Sequence, residues 1–445
     1  MQKYTLALIC ALLLSPLIAH ADAIAPPIVN DSALSLSRAL ILAAQDNVLL
    51  KETHADADTA AAEARSAQAQ TRPSVSATTY ATLGDSSNIL TTAPGVSPEN
   101  LFNVPSRGFA DQDLMLMVPL YTGGKLSGAV GASRHQANAS SLSFQASRLT
   151  VTDAVTAAYT NAALQQALVA VAQSRLNAED AQVQVTQAKV TTGRLAPVDL
   201  LREQAEDADA RQGLLLAQNQ EALALIGLKT ALGISQASQI ALSDTLDTLP
   251  TAIAFPATLV DALSLADAHR PEIAASQRQV DAAKEEEVVA RSEYAPQVYG
   301  IAMGDAMAGQ SLNRLGYTVG VTASIPIFEG GQRQADTDAA HARRDRAEAD
   351  AEQVRQFVDE QVATAWLNRQ TAIAQVQDAV SGVTAAQEGY RLAELLYNAN
   401  KSTTADRLDA LSALVRAQGT LAQAKAGVIN ADSALSAALG ISNAS

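Results

Sequence analysis

Cysteine is all but missing from this chain: Cys10 is the only one in 445 residues. It lies in an N-terminal stretch that reads as a leader, so the processed protein is expected to hold no disulfide and no cysteine-bound metal. Aromatic residues make up only 4% of the chain. That scarcity argues against a bulky globular core and suits close-packed helices. Basic residues are outnumbered, 31 Lys and Arg against 46 Asp and Glu, for a net charge of −15. Nucleic acid is therefore not an expected partner. No proline interrupts the run from Lys125 to about Thr192. No nucleophile–base pair, phosphate loop or dinucleotide fingerprint occurs, so neither catalysis nor a cofactor is expected. His54, His135, His269 and His341 are scattered and read as surface residues, leaving no expected metal site. Met115, Met117, Met303 and Met307 lie on or near expected strands and read as packing toward lipid or a lumen.

What is present begins with a leader. Lys3 supplies a basic start, Leu6 to Leu14 an apolar run, Ser15-Pro16 a breaker and Ala19-His20-Ala21 a cleavage site. Residues 1–21 thus read as a secretory signal, with an apolar run too short to span a bilayer.

The rest is organised around a stretch that occurs twice. Val118-Pro119-Leu120-Tyr121-Thr122-Gly123-Gly124 returns as Ile325-Pro326-Ile327-Phe328-Glu329-Gly330-Gly331, 207 positions on. Each copy ends an alternating apolar run and precedes a long Ala/Gln-rich helical pattern. The paired glycines suit a strand-to-helix turn whose backbone angles side chains forbid. The same offset relates Asp199 to Asp406, Leu201 to Leu408 and Leu232-Gly233 to Leu439-Gly440. Upstream of the junction the offset is 223: Leu36 matches Leu259, Leu40 matches Leu263 and Pro73 matches Pro296. The chain is therefore one duplicated unit carrying a single 16-residue length change, located between Pro73 and Pro119.

The first repeat is expected at 33–233 and the second at 257–440, with a mixed connector at 234–256. In the first, a helix from Ala33 to about Thr71 leads to strands at about 74–84 and 111–121, flanking a Pro/Gly-rich loop at 85–110. A helix at about 125–192 then runs roughly 100 Å at 1.5 Å per residue. A helix from Pro197 to Leu232 completes the unit. The second repeat reads as a helix over 257–294, kinked near Pro271, and strands at about 297–303 and 315–328. A long helix at about 331–400 and a last one from Thr404 to Leu439 follow. In the long helix Val376, Val383, Tyr390 and Tyr397 recur every seven residues, a coiled-coil seam. The strands alternate: Leu315, Tyr317, Val319, Val321, Ala323, Ile325 and Ile327 against Gly316, Thr318, Gly320, Thr322 and Ser324. Such strands suit a transmembrane barrel, but four are too few to close one, and open edges are excluded from lipid. Several copies must share a barrel. A periplasmic coiled-coil scaffold that conducts nothing is the alternative of another class.

The duplicated order, the PLYTGG and PIFEGG junctions and the tail Tyr397, Asp406, Leu408-Asp409-Ala410 and Leu439-Gly440 resemble the TolC-type outer-membrane efflux proteins over about Ala33 to Gly440. The resemblance implies a fold class that is mainly α with a transmembrane β-barrel contribution. The resemblance implies a homotrimer with a 12-stranded barrel in outer-membrane lipid and a tunnel of helices in the periplasm. It implies a passive exit duct that meets a periplasmic adaptor and an inner-membrane transporter, or one serving type I protein secretion. It places adaptor docking at two helical tips, Gly193-Arg194-Leu195-Ala196 and Asn400-Lys401. It makes Asp406 and Asp409, which share a helix face, a gate or selectivity ring of six carboxylates. Tyr397 and Asp199 match two positions of a closing link, whereas Ser402 stands where that family carries a basic residue. Structural roles fall to the junctions at Pro119, Gly123, Gly124, Pro326, Gly330 and Gly331.

Overall fold

The computed structural model describes residues 26–82, 109–249, 254–309, 313–399 and 401–441. The expected leader at 1–21, most of the loop at 85–110 and Asn400 lie outside them. In chain order the elements are β1 (Asn30–Leu34), α1 (Leu36–Asp46), α2 (Val48–Ala69), β2 (Ser74–Thr82), β3 (Phe109–Tyr121), α3 (Lys125–Thr191), α4 (Pro197–Leu232) and β4 (Gln239–Leu242). The second half holds α5 (Leu259–His269), α6 (Pro271–Arg291), a 3-10 turn, β5 (Gln297–Gly309), β6 (Asn313–Ser324), α7 (Gln332–Asn398) and α8 (Thr404–Ala438).

The long helices α3 and α7 have 67 residues each, about 100 Å at 1.5 Å per residue. Around α3 pack α2 and α6 toward the strand end and α4 and α8 toward the other end; α7 packs along α6 and α8. Among the described residues no helix is long and apolar enough to cross a membrane.

The duplication extends to individual hydrogen bonds. At the junctions Lys125 N donates to Thr122 O, and 207 positions later Gln332 N donates to Glu329 O. The four junction glycines adopt matching left-handed angles, φ 61° and 98° at Gly123 and Gly124, 63° and 96° at Gly330 and Gly331. A side chain would strain these turns. At the tips Arg194 N donates to Lys189 O and Lys401 N to Leu396 O, both at 2.8 Å. The cores match as well. Ala39, Ala43, Val151, Val155, Leu228 and Leu232 are buried in one cluster. Ala262, Ala266, Val358, Val362, Leu435 and Leu439 are buried in the other.

Four expectations need correction. The helix expected over 33–71 is two helices, broken at Asn47, whose backbone is extended and whose side chain caps α2 by accepting from Leu49 N and Leu50 N. The helix expected over 257–294 breaks at the equivalent place, before Pro271. Proline has no N–H to continue the ladder and pushes Arg270 into an extended conformation. Helix also does not begin at Ala33, because residues 30–34 form β1. That strand pairs in parallel with β4 from the connector, Asn30 opposite Gln239. The pair is fastened by Tyr159, whose hydroxyl donates to Leu34 O at 2.7 Å.

The fourth correction concerns strand lengths. β5 extends to Gly309 rather than about 303, and the return strand of the first repeat starts at Phe109 rather than 111. β6 ends at Ser324, so Ile325 to Phe328 are not strand. Their equivalents Val118 to Tyr121 are strand because Gly300, Tyr299 and Val298 of β5 pair with them. Among the described residues Ile325 to Phe328 have no such neighbour. The four long strands form two hairpins, β2-β3 and β5-β6, joined through β3 and β5 into one antiparallel sheet in the order β2-β3-β5-β6. Both hairpins have the same register: Ser74 opposes Met117 and Gln297 opposes Ser324.

Candidate functional site

Strand alternation and register give the sheet two unlike faces. One carries Val75 and Ala77, then Leu114, Leu116 and Val118, then Val298 and Ala302, then Leu315, Tyr317, Val319, Val321 and Ala323, which are cross-strand neighbours. Much of this apolar face is exposed: Leu315 is 87% and Val319 75% accessible. Exposed apolar surface on this scale marks contact with something other than water. The opposite face carries Ser74, Ser76, Thr78, Asp113, Asp305, Gly316, Thr318, Gly320 and Thr322. Among the described residues strands β2 and β6 are both open edges of the sheet.

At the far end the two tips differ chemically. α4 begins at Ala196, which offers no side-chain cap, followed by Pro197 in the first turn. α8 begins at Thr403 with a capping box: Thr403 Oγ1 accepts from Asp406 N, and the Asp406 carboxylate accepts from Thr403 N at 2.9 Å. That N–H, with the Thr403 hydroxyl, holds the Asp406 carboxyl below the usual aspartate range. Asp406 and Asp409 are both exposed on α8. Gly193, Arg194, Ala196 and Lys401 are exposed and Leu195 is half-buried.

The expected link between Asp199 and Tyr397 is not formed within the chain. Tyr397 is buried, its hydroxyl has no hydrogen-bond partner, and the Lys189 ammonium lies 4.6 Å from its ring centroid. The contact that joins the two halves near the tips is one that sequence reading missed. Arg407 of α8 is 1% accessible and donates to Glu203 of α4 at 2.7 Å and to Glu179 of α3 at 3.1 Å. Burial pushes the Glu203 carboxyl up, against the pull of Arg407. Burial likewise opposes the charge on Arg407, but the two carboxylates outweigh it and hold the guanidinium above its ordinary value. In sequence Arg407 stands between the two aspartates of the expected gate and looks like a third surface charge. Only its inward angle on α8 separates it from them.

The sequence profile of the outer membrane efflux protein family matches residues 39–234 and 262–441, nearly all of both repeats. The chain belongs to the outer membrane efflux protein family. It is accordingly an outer-membrane exit channel protein with its helical part in the periplasm, and its family is one of channels rather than enzymes. Solved structures share the fold. CusC, described as forming a transmembrane channel, is 20% identical over 93% of this chain and 94% of its own, with a TM-score of 0.77. The outer membrane protein VceC of Vibrio cholerae is 21% identical over 91% and 96%, with a TM-score of 0.74. The CmeC outer membrane channel of Campylobacter jejuni is 17% identical over 91% and 85%, with a TM-score of 0.75. No curated protein sequence matches significantly.

Proposed function

We propose that three copies close a 12-stranded barrel in the outer membrane and continue it as a tunnel of α-helices. Substrates delivered by an inner-membrane transporter through a periplasmic adaptor leave passively by this route. The observation that carries the reading is the four-stranded sheet with one apolar face and two open edges. In lipid each unpaired backbone group costs several kcal/mol, roughly the value of a lost hydrogen bond in hydrocarbon, so the edges must meet.

The repeat specifies how. Within the chain β3 pairs with β5, Met117 opposite Ile301. Carrying that register through the two offsets pairs β6 with β2 of the next copy, Ser324 opposite Thr78. It also supplies Ile325 to Phe328 with the partner they lack. At the other end the tips at Gly193-Arg194-Leu195-Ala196 and at Lys401, with Asn400, would meet the adaptor. Asp406 and Asp409 would ring the entrance. The test is a cross-link. Ser324→Cys with Thr78→Cys, in a Cys10→Ser background, should yield covalent trimers on oxidation. Thr322→Cys with Thr78→Cys, two residues out of register, should not. Efficient cross-linking by both pairs, or by neither, rejects the arrangement.

A further inference from the structure

The chain contains five methionines. Met1 apart, all of them lie on β3 and β5: Met115 and Met117 on one strand, Met303 and Met307 on the other. None falls in the long helices, although methionine is a good helix former and a common filler of irregular cores. Register brings three of them together. Met115 pairs with Met303, Met117 with Ile301 and Asp113 with Asp305. Directly opposed side chains on antiparallel strands have Cβ atoms about 4.5–5.5 Å apart, and residues two apart share a face. Asp113, Met115, Met117, Met303 and Asp305 therefore form one patch.

The patch lies on the polar face of the sheet, not the apolar one. Its flanks on the neighbouring strands are small, Ser76 and Thr78 on β2 and Gly316 and Thr318 on β6. Met303 is 37% accessible, and Met115 and Met117 are half-buried. A side chain at Gly316 would collide with the Asp305 carboxylate, so this glycine leaves room for the acid. Methionines recruited only for packing belong on the opposite face, among Leu114, Leu116 and Val319. Among the described residues no group of three His, Cys, Asp or Glu could hold a metal. The thioethers are what set this patch apart.

We propose that the Met115–Met303 pair, with Met117 beside it and Asp113 and Asp305 flanking it, is a contact site for soft monovalent cations, Cu(I) or Ag(I), passing through the barrel. Thioether sulfur is a soft, uncharged donor that selects such ions over hard divalent ones. The Asp113 carboxylate beside the pair adds attraction for a cation without discriminating among cations. A site of few, neutral soft ligands binds weakly enough to release its ion, which a conduit requires. The inference rests on the channel reading, because only in a closed barrel does the polar face line a lumen.

The test uses the full chain in detergent with Cys10→Ser, so that methionine is the only sulfur, and silver nitrate in chloride-free buffer. Silver-edge X-ray absorption should show silver–sulfur scattering, which exposed histidines cannot produce. Met115→Leu/Met303→Leu conserves side-chain volume and should lose it. Persistence of that scattering in the double variant overturns the site, as does its absence from the starting protein. The same preparations are checked for trimers and single-channel conductance. A conducting protein without silver–sulfur scattering defeats the site alone. Silver–sulfur scattering that the double variant abolishes, in a protein that neither trimerises nor conducts, supports the patch and defeats the channel reading.

Discussion

In the first repeat the junction glycine is covered. A Cβ at Gly123 would overlap that of Ala295 and touch the Ser292 carbonyl, whereas a Cβ at Gly330, the equivalent position, would have nothing within 4 Å. The neighbouring side chains follow suit. Leu120 and Tyr121 are 57% and 53% accessible, but Ile327 and Phe328 are 92% and 87%. The backbone angles and hydrogen bonds of the two junctions agree, so the turn itself is not the source of the difference. The first junction is packed against the second repeat of its own chain, and the second has no further repeat to pack against. In the proposed trimer, this unequal burial at equivalent positions marks the surface another copy would cover. By the offset of 223, Ala69 and Arg72 of the next copy would cover Gly330.

The largest expected effect comes from the contact that unites the halves. Arg407→Leu would leave Glu179 and Glu203 buried without their cation, a loss of about 3–5 kcal/mol readable as a lower melting temperature. Because burial raises the Glu203 carboxyl, its contribution is complete below the ordinary glutamate range. That contribution is lost as pH rises through the raised value. Stability of the parent protein should therefore decline over that window, and Glu203→Gln should flatten the decline.

Next comes the membrane sheet. Arg in place of Val321, on the apolar face, should cost about 2–4 kcal/mol near the bilayer midplane, while Arg at Thr322 is tolerated. Folding into lipid vesicles measures both, and equal tolerance would erase the distinction between the two faces.

Smaller is the junction pair. Gly123→Ala should cost more than Gly330→Ala in the unassembled chain, where only left-handed strain of order 1–2 kcal/mol applies at Gly330. In the trimer the two costs should converge. A gap that stays open in the trimer would mean that no neighbour covers Gly330.

The smallest effect concerns the tips. Ala196 occupies the place of Thr403 and Asp199 that of Asp406. Ala196→Thr should therefore build a second capping box and steady α4 by about 1 kcal/mol. Slower amide exchange over the first turn of α4 would report it. Acidification should undo the native box at α8 only below the usual aspartate range, since Asp406 is held below it.

The sequence by itself determined the duplication, both offsets, the long helices and their glycine-marked ends. These are legible because proline, glycine and apolar periodicity act over a few residues, and a helix is closed by its own backbone. The alternation of the strands, and hence the chemistry of each face, was equally local. What depends on residues far apart was not legible. The β1–β4 pairing joins short segments about 209 positions apart, and nothing in either short run names its partner. The break at Asn47 carries no proline to announce it. The inward turn of Arg407 follows from the roughly 100° of rotation that separates successive residues of a helix, and which of those angles faces another helix is set by packing. The end of β6 at Ser324 was set by whether a strand lies alongside, because a strand, unlike a helix, takes its hydrogen bonds from a neighbour. The tertiary structure decided these points because each requires two distant parts of the chain to be brought together.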